Sequence, residues 1–164
     1  MKCQRTWSIL NALEGDKEVE LGLILEPQLA ALAAERATNE DIEAMKEAVE
    51  TLKTEYKTAG AMTDADEKFH LAIASATHNQ IISRVIEPVM EMLWEFRERL
   101  VNTPVRRKKA IEEHKRIYEA IRRRHGKAAP SRMKEHLARV REALNRIHQD
   151  KKLTARTERR MTYA

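Results

Sequence analysis

The sequence predicts an all-α fold, an antiparallel bundle of about six helices. Three observations predict it. Apolar residues recur at steps of three and four in most segments, and no strand-like alternation stands out. Composition agrees: Gly and Pro number four each in 164 residues, aromatics are 4%, and Ala, Leu, Glu, Lys and Arg recur throughout. The breaks between periodic segments are short, so neighbouring helices must run in opposite directions.

The elements follow in order. Residues 1–14 have room for a short helix in "RTWSILNALEG". Asp16 to Ala37 reads as helix, with Pro27 marking a kink or a restart. Thr38 or Asn39 then caps a helix whose apolar positions are Ile42, Met45, Val49, Leu52 and Tyr56. Gly60 is expected to end it. Thr63 is expected to cap the next helix, with Asp66 at the capping-box position. Asn79 marks a break. A long helix follows to about Val101, with a kink at Pro88. "NTPV" is a turn. The next helix runs from Arg106 to His125, with Gly126 as C-cap. The last starts near Ala129–Ser131, carries Pro130 in its first turn and runs to about Gln149. One domain is expected over residues 1–150, with a basic tail over 151–164 that frays.

Charge excludes less than it first suggests. The net charge is +5, but the tail "KKLTARTERRMTYA" holds five Lys/Arg and one Glu, which leaves about +1 for the body. "RRKK" (Arg106–Lys109) and "RRRHGK" (Arg122–Lys127) read as solvated helix ends, the second in a last turn where cations favour the helix dipole. No apolar run nears the ~20 residues that a membrane crossing needs. The chain opens without a signal-peptide core, and its single Cys3 fits a reducing compartment, so a cytoplasmic location is expected. There is no Gly-rich phosphate loop, CxxC, HExxH or nucleophile elbow.

Polar groups on apolar faces carry the functional signal. In "DADEKFHLAIASATHN", Asp66 and His70 stand four apart and share a helix face with Ile73. His114 shares a face with Ile111, Ile117, Tyr118 and Ile121; His136 sits with Met133, Leu137, Val140 and Leu144. His114 and His136 straddle the turn at Gly126, each roughly 16 Å from it at ~1.5 Å per residue, so they lie level in an antiparallel hairpin. His78, His125 and His148 fall at helix ends or in polar runs. Three inward histidines and an aspartate on three helices are what a metal site needs. Spacing alone leaves a metal site and a hydrogen-bonded polar network both open.

Four blocks carry a resemblance: "LEPQLAALAAERAT" (Leu25–Thr38), "DEKFHLAIASATHN" (Asp66–Asn79), "EEHKRIYEAI" (Glu112–Ile121) and "MKEHL" (Met133–Leu137). In this order the chain resembles the effector-binding FCD domain of the FadR subfamily of GntR-type bacterial transcription regulators. The resemblance implies a dimerising all-α bundle with a small effector at its centre. It implies that Asp66, His70, His114 and His136 hold a divalent metal, and that the metal holds one end of an organic-acid effector. Arg36 and Asn79 are plausible second contacts to that effector. Asp and His donors suit Zn, Ni, Mn or Fe(II). An octahedral ion with four protein ligands would keep two positions for the acid. In such regulators a winged helix-turn-helix precedes this domain; Met1 stands too near the first block to leave room for it, so DNA contact is expected only through a domain absent from this chain. Two positions depart from the pattern. Gly22 stands where many relatives carry an Arg four residues before the Glu of "LEP", and His78 replaces a small residue.

Two other readings remain. A di-iron enzyme wants Glu-x-x-His motifs, and "EEH" has the wrong spacing. A mononuclear metal hydrolase needs a base beside the metal, and Glu67 points elsewhere on its helix. The other reading is a metal-free interaction module whose histidines only stabilise the core. The expectation is a regulator domain and not an enzyme.

Overall fold

A computed structural model of the chain describes residues 16–101 and 103–162. The short helix expected over residues 1–14 lies outside them. Six helices fill the described residues: α1 (Asp16–Arg36), α2 (Asn39–Thr54), α3 (Ala59–Ser75), α4 (Gln80–Leu100), α5 (Pro104–Arg122) and α6 (Ala128–Thr162). α1 packs along α6, α3 lies against α2 and α4, and α5 lies against α6 and α2. α3 also meets α1 and α5, so it carries its polar face into the middle of the bundle.

Periodicity explains the core. Met45 and Leu52 on α2, Phe69 and Ile73 on α3, Ile117 and Ile121 on α5 and Met133 on α6 are each at most 1% exposed. Each of these α2, α3 and α5 pairs is a step of seven or four, one stripe of a helix. α1 and α4 run through Pro27 and Pro88 without a break.

Capping follows the sequence at some ends and departs from it at others. Thr38 caps α2 with a full capping box: its hydroxyl accepts from Asp41 N at 3.2 Å, and its own N–H donates to Asp41 Oδ2 at 2.7 Å. Asn79 caps α4, accepting from Ile81 N and Ile82 N. Gly60, however, does not end α2. That helix stops at Thr54, and Gly60 sits in the first turn of α3. Nor is Thr63 a cap. Thr58 takes that role by accepting from Ala61 N, while Thr63 is buried and donates its hydroxyl to Ala59 O at 2.9 Å. A polar linker rich in Thr offers several competing caps, and the one chosen is the one that lets Met62 and Phe69 reach the core.

The end of α5 also differs. It stops at Arg122, and the left-handed residue is Arg124 (φ 58°), not Gly126. His125 N donates to Ala120 O and Arg124 N to Ile121 O, the crossed pair of a Schellman motif. A non-glycine residue pays a steric penalty in this conformation. Arg124→Gly is therefore expected to stabilise the protein by about 0.5–1 kcal/mol in urea unfolding. α6 is longer than its periodicity implied, continuing past Gln149 to Thr162.

Candidate metal centre

α3 brings Asp66 and His70 inward on adjacent turns, α5 brings His114, and α6 brings His136. All four are buried, at 7%, 3%, 0% and 4% exposure. The expected level pairing across the α5–α6 hairpin is present, with the His114 and His136 rings 4.7 Å apart between centroids. One donor atom from each of the four residues lies within 4.8 Å of every other. Two donors opposite each other on a transition metal stand about 4.2 Å apart. The cluster is thus a few tenths of an ångström wider than an ion would require.

The orientation of each ring is fixed from behind. His114 Nδ1 lies 2.6 Å from the Ala110 carbonyl, which can only accept, so Nδ1 carries the proton. His136 Nδ1 donates to Glu113 Oε2 at 2.9 Å. His70 Nδ1 is 2.5 Å from Glu26 Oε2, an ion-pair contact whose angle is poor for a hydrogen bond. With Nδ1 turned to an acceptor, His70 and His114 leave Nε2 facing the shared space. His114 Nε2 stands 3.3 Å from His70 Nε2 and 2.8 Å from Asp66 Oδ1. Lone pairs converging so closely repel unless a proton or a cation lies among them. The donor set therefore fits a divalent ion, with Glu26, Ala110 and Glu113 as the supporting groups that such ligands usually have.

Electrostatics prepare the ligands. Burial pushes His136 down to about 4, with Glu113 opposing and the other two histidines adding to the drop, so this ring is neutral at pH 7. Burial alone would raise Asp66 and Glu26. For Asp66, the charges of Arg97, His114 and His70 outweigh it and hold the carboxyl well below its usual range. For Glu26, His70 and Arg97 do the same and hold it at about 2.

These shifts predict a pH dependence for metal-free protein. His136 is about 4 folded against 6.5 ordinarily. Between those values the unfolded chain takes up a proton that the folded one refuses, so stability falls as pH drops through the window. Glu26 adds a loss of the same sign below its ordinary 4.5, toward about 2. The unfolding free energy in chelator is expected to be about 1–2 kcal/mol lower at pH 5 than at pH 7. His136→Gln should flatten that slope; an equal slope in the variant contradicts the assignment.

A cavity of about 40 Å³ adjoins the cluster, lined by Gly22, Glu26, Thr63, Asp66, Arg97, Arg106 and His136 and by apolar residues including Val19, Leu100 and Val140. Arg97 reaches in from α4 and grips both carboxylates: Nη1 donates to Asp66 Oδ2 at 2.7 Å and Nη2 to Glu26 Oε1 at 3.0 Å. Arg106 donates through Nη1 to Glu113 Oε2 at 3.2 Å. Arg36 and Asn79 stand elsewhere. Arg36 donates to Thr77 O at 3.2 Å, Asn79 is occupied as the α4 cap, and neither lines this cavity. His78 also lies away from it, in the left-handed region (φ 53°) with Nε2 2.7 Å from Asp41 Oδ2.

Sequence reasoning missed Glu26, Arg97 and Glu113 as parts of the site. Signals existed. Glu26 is a lone carboxylate in the apolar run "LGLILEPQL", and Arg97 falls on the α4 stripe of Leu93 and Leu100.

Comparison with known proteins agrees with this architecture. The model of the FCD domain matches residues 19–139. The HTH-type transcriptional regulator LutR of Bacillus subtilis is 31% identical over 132 residues, covering 77% of this chain and 60% of the relative. The Uxu operon transcriptional regulator of Escherichia coli is 32% identical over 135 residues, covering 74% of this chain and 50% of the relative. The chain thus spans about half to three fifths of the length of these curated relatives. Among solved structures, a GntR protein of Streptococcus agalactiae superposes with a TM-score of 0.67 at 24% identity, over 81% of this chain and 60% of that one. These curated relatives are named as regulators of transcription. The chain belongs to the FCD domain family.

Proposed function

We propose that this domain senses a small organic acid through a divalent transition metal (Zn, Ni, Mn or Fe) held by Asp66, His70, His114 and His136, and so controls DNA binding by a regulator of which it is the effector-binding and dimerising part. One observation carries the reading. His70 and His114 bring their Nε2 atoms to 3.3 Å of each other, Asp66 Oδ1 stands 2.8 Å from His114 Nε2, and one donor atom from each of Asp66, His70, His114 and His136 lies within 4.8 Å of every other. A core network needs only that polar groups be paired. Here two imidazole nitrogens and a carboxylate oxygen crowd one buried point, which favours a cation over a metal-free module.

The bound ion would supply a Lewis-acidic centre for a carboxylate. The chain's own residues do the rest. Glu26, Glu113 and the Ala110 carbonyl hold the rings in place. Because the donors come from α3, α5 and α6, acid binding there changes how those helices pack. The size of the response is limited by the acid's differential affinity for the two packings. Dimerisation is supported by Ile81 and Val85, one turn apart on α4 and 70% and 57% exposed.

Elemental analysis of untagged protein, purified without added metal, tests the reading. About one equivalent of a transition metal per chain is expected, lost in His114→Ala. Metal-free protein that also fails to take up zinc, nickel, manganese or iron in solution would refute it.

A further inference from the structure

The buried cavity beside the candidate ligands has one thin wall. It holds about 40 Å³, and Glu26, Asp66 and His136, which line it, are at most 7% exposed. Outside it, between the end of α4, the start of α5 and the middle of α6, lies an open groove of about 610 Å³. Leu100 and Arg106 line both spaces, and no other described residue does. The groove is cationic: Arg99, Arg106, Lys109 and Arg146 line it against one acid, Glu98. A concave surface of that sign draws anions from solution.

Of the two wall residues, Arg106 is the one free to move. Its Nη1 donates to Glu113 Oε2 at 3.2 Å, and when that bond opens the same oxygen keeps His136 Nδ1 at 2.9 Å. Its Nε is buried without a hydrogen-bond partner, so the closed position leaves a donor unsatisfied that water in the groove would satisfy. Arg97, by contrast, is held on two carboxylates at 2.7 and 3.0 Å. The backbone around the wall is fixed. Arg107, 6% exposed, donates through Nη1 to Val101 O at 2.8 Å and through Nη2 to Lys57 O at 3.2 Å. It thereby pins the turn after α4 to the turn before α3. Opening is a side-chain rotation rather than a loop movement.

We propose that the groove is the entrance to the central cavity for an anionic ligand, and that Arg106 is its gate. Shut on Glu113, it closes the cavity. Swung into the groove, it joins the two spaces and meets the incoming anion, while Leu100 forms the fixed side of the opening. The ligand that passes is the organic acid of the reading above, on which the inference rests for its ligand; the gate itself needs no metal.

Thiol access to the cavity, measured on the full chain in chelator, tests it. Ala110 lines the cavity at 1% exposure; Ala74 is equally buried and lines neither space. With Cys3→Ser removing the native thiol, Ala110→Cys and Ala74→Cys each supply a single reporter. The probes are two methanethiosulfonates of similar size, one sulfonated and one bearing trimethylammonium, with each rate normalised to free cysteine. Adding Arg106→Ala is expected to speed modification at position 110 by about tenfold or more and to leave position 74 within about twofold, because only the cavity opens. The anionic probe should react at position 110 faster than the cationic one by about threefold or more, and Lys109→Glu with Arg146→Glu should reverse that order. Thermal melts confirm that the variants fold. An unchanged rate at position 110 in Arg106→Ala, or equal acceleration at both positions, overturns the gate. A cationic probe as fast as the anionic one overturns the entrance for anions. These outcomes leave the metal reading untouched, since its failure shows in zinc uptake by the unsubstituted chain.

Discussion

Zinc added to metal-free protein is expected to raise the melting temperature by roughly 10 °C. A ligand that binds only the folded state adds about 4 kcal/mol at a thousandfold excess over its dissociation constant. For a chain of this size, 1 kcal/mol moves the melting temperature by about 2–4 °C. The candidate donors span α3, α5 and α6, so an ion held there would tie together elements far apart in sequence and resist global unfolding, not only local opening. Asp66→Asn tests the origin of the shift. It keeps the side-chain shape but removes the charge that an ion needs, and the zinc-induced rise should shrink to a few degrees. The variant also leaves Arg97 with Glu26 alone, which balances one charge with one, so its metal-free form should still fold. Scanning fluorimetry with and without chelator checks both points. Superimposable melts for chelated and zinc-loaded wild type would contradict them.

Phe69→Ala should cost about 3–5 kcal/mol in urea unfolding, the usual range for deleting a fully buried phenyl ring. Phe69 is 0% exposed on α3, one residue before His70. Its ring meets His114 nearly edge-on, 5.0 Å between centroids at 76°, and His70 at 5.8 Å and 83°. It is thus both a core residue and a wall of the site. The cavity left behind would free His114 and His70 to rotate, so weaker zinc binding should accompany the loss of stability. A cost below about 1 kcal/mol would mean that the ring is not packed as described.

Local pattern made the helices legible, and the four candidate ligands with them. Asp66 and His70 declare themselves by standing four apart on an apolar face. His114 and His136 do so by standing level across one hairpin. Their supporters are harder to read because their partners are distant. Arg97 is 31 residues from Asp66 and 71 from Glu26, and no periodicity within one helix reports that meeting. The caps show the opposite failure, an excess of local signal. "TEYKTAGAMT" offers Thr54, Thr58, Gly60 and Thr63 as breaks, and tertiary packing selects Thr58. Arg36 and Asn79 illustrate a third limit. Both are polar residues inside the blocks that carry the resemblance, and in the structure a backbone carbonyl and a helix N-terminus use them. Arg124 adopts the left-handed turn although Gly126 stands two residues on, because the Schellman bonds fix the position by distance from Ala120 rather than by residue type.

X-ray absorption at the zinc edge, on protein loaded with one equivalent, tests the central claim most directly. Three imidazole nitrogens and one carboxylate oxygen are expected in the first shell at about 2.0–2.2 Å. Multiple scattering should correspond to three rings and fall to two in His136→Ala. A shell without imidazole scattering, or one that His136→Ala leaves unchanged, would contradict the assignment of Asp66, His70, His114 and His136 as a single metal site.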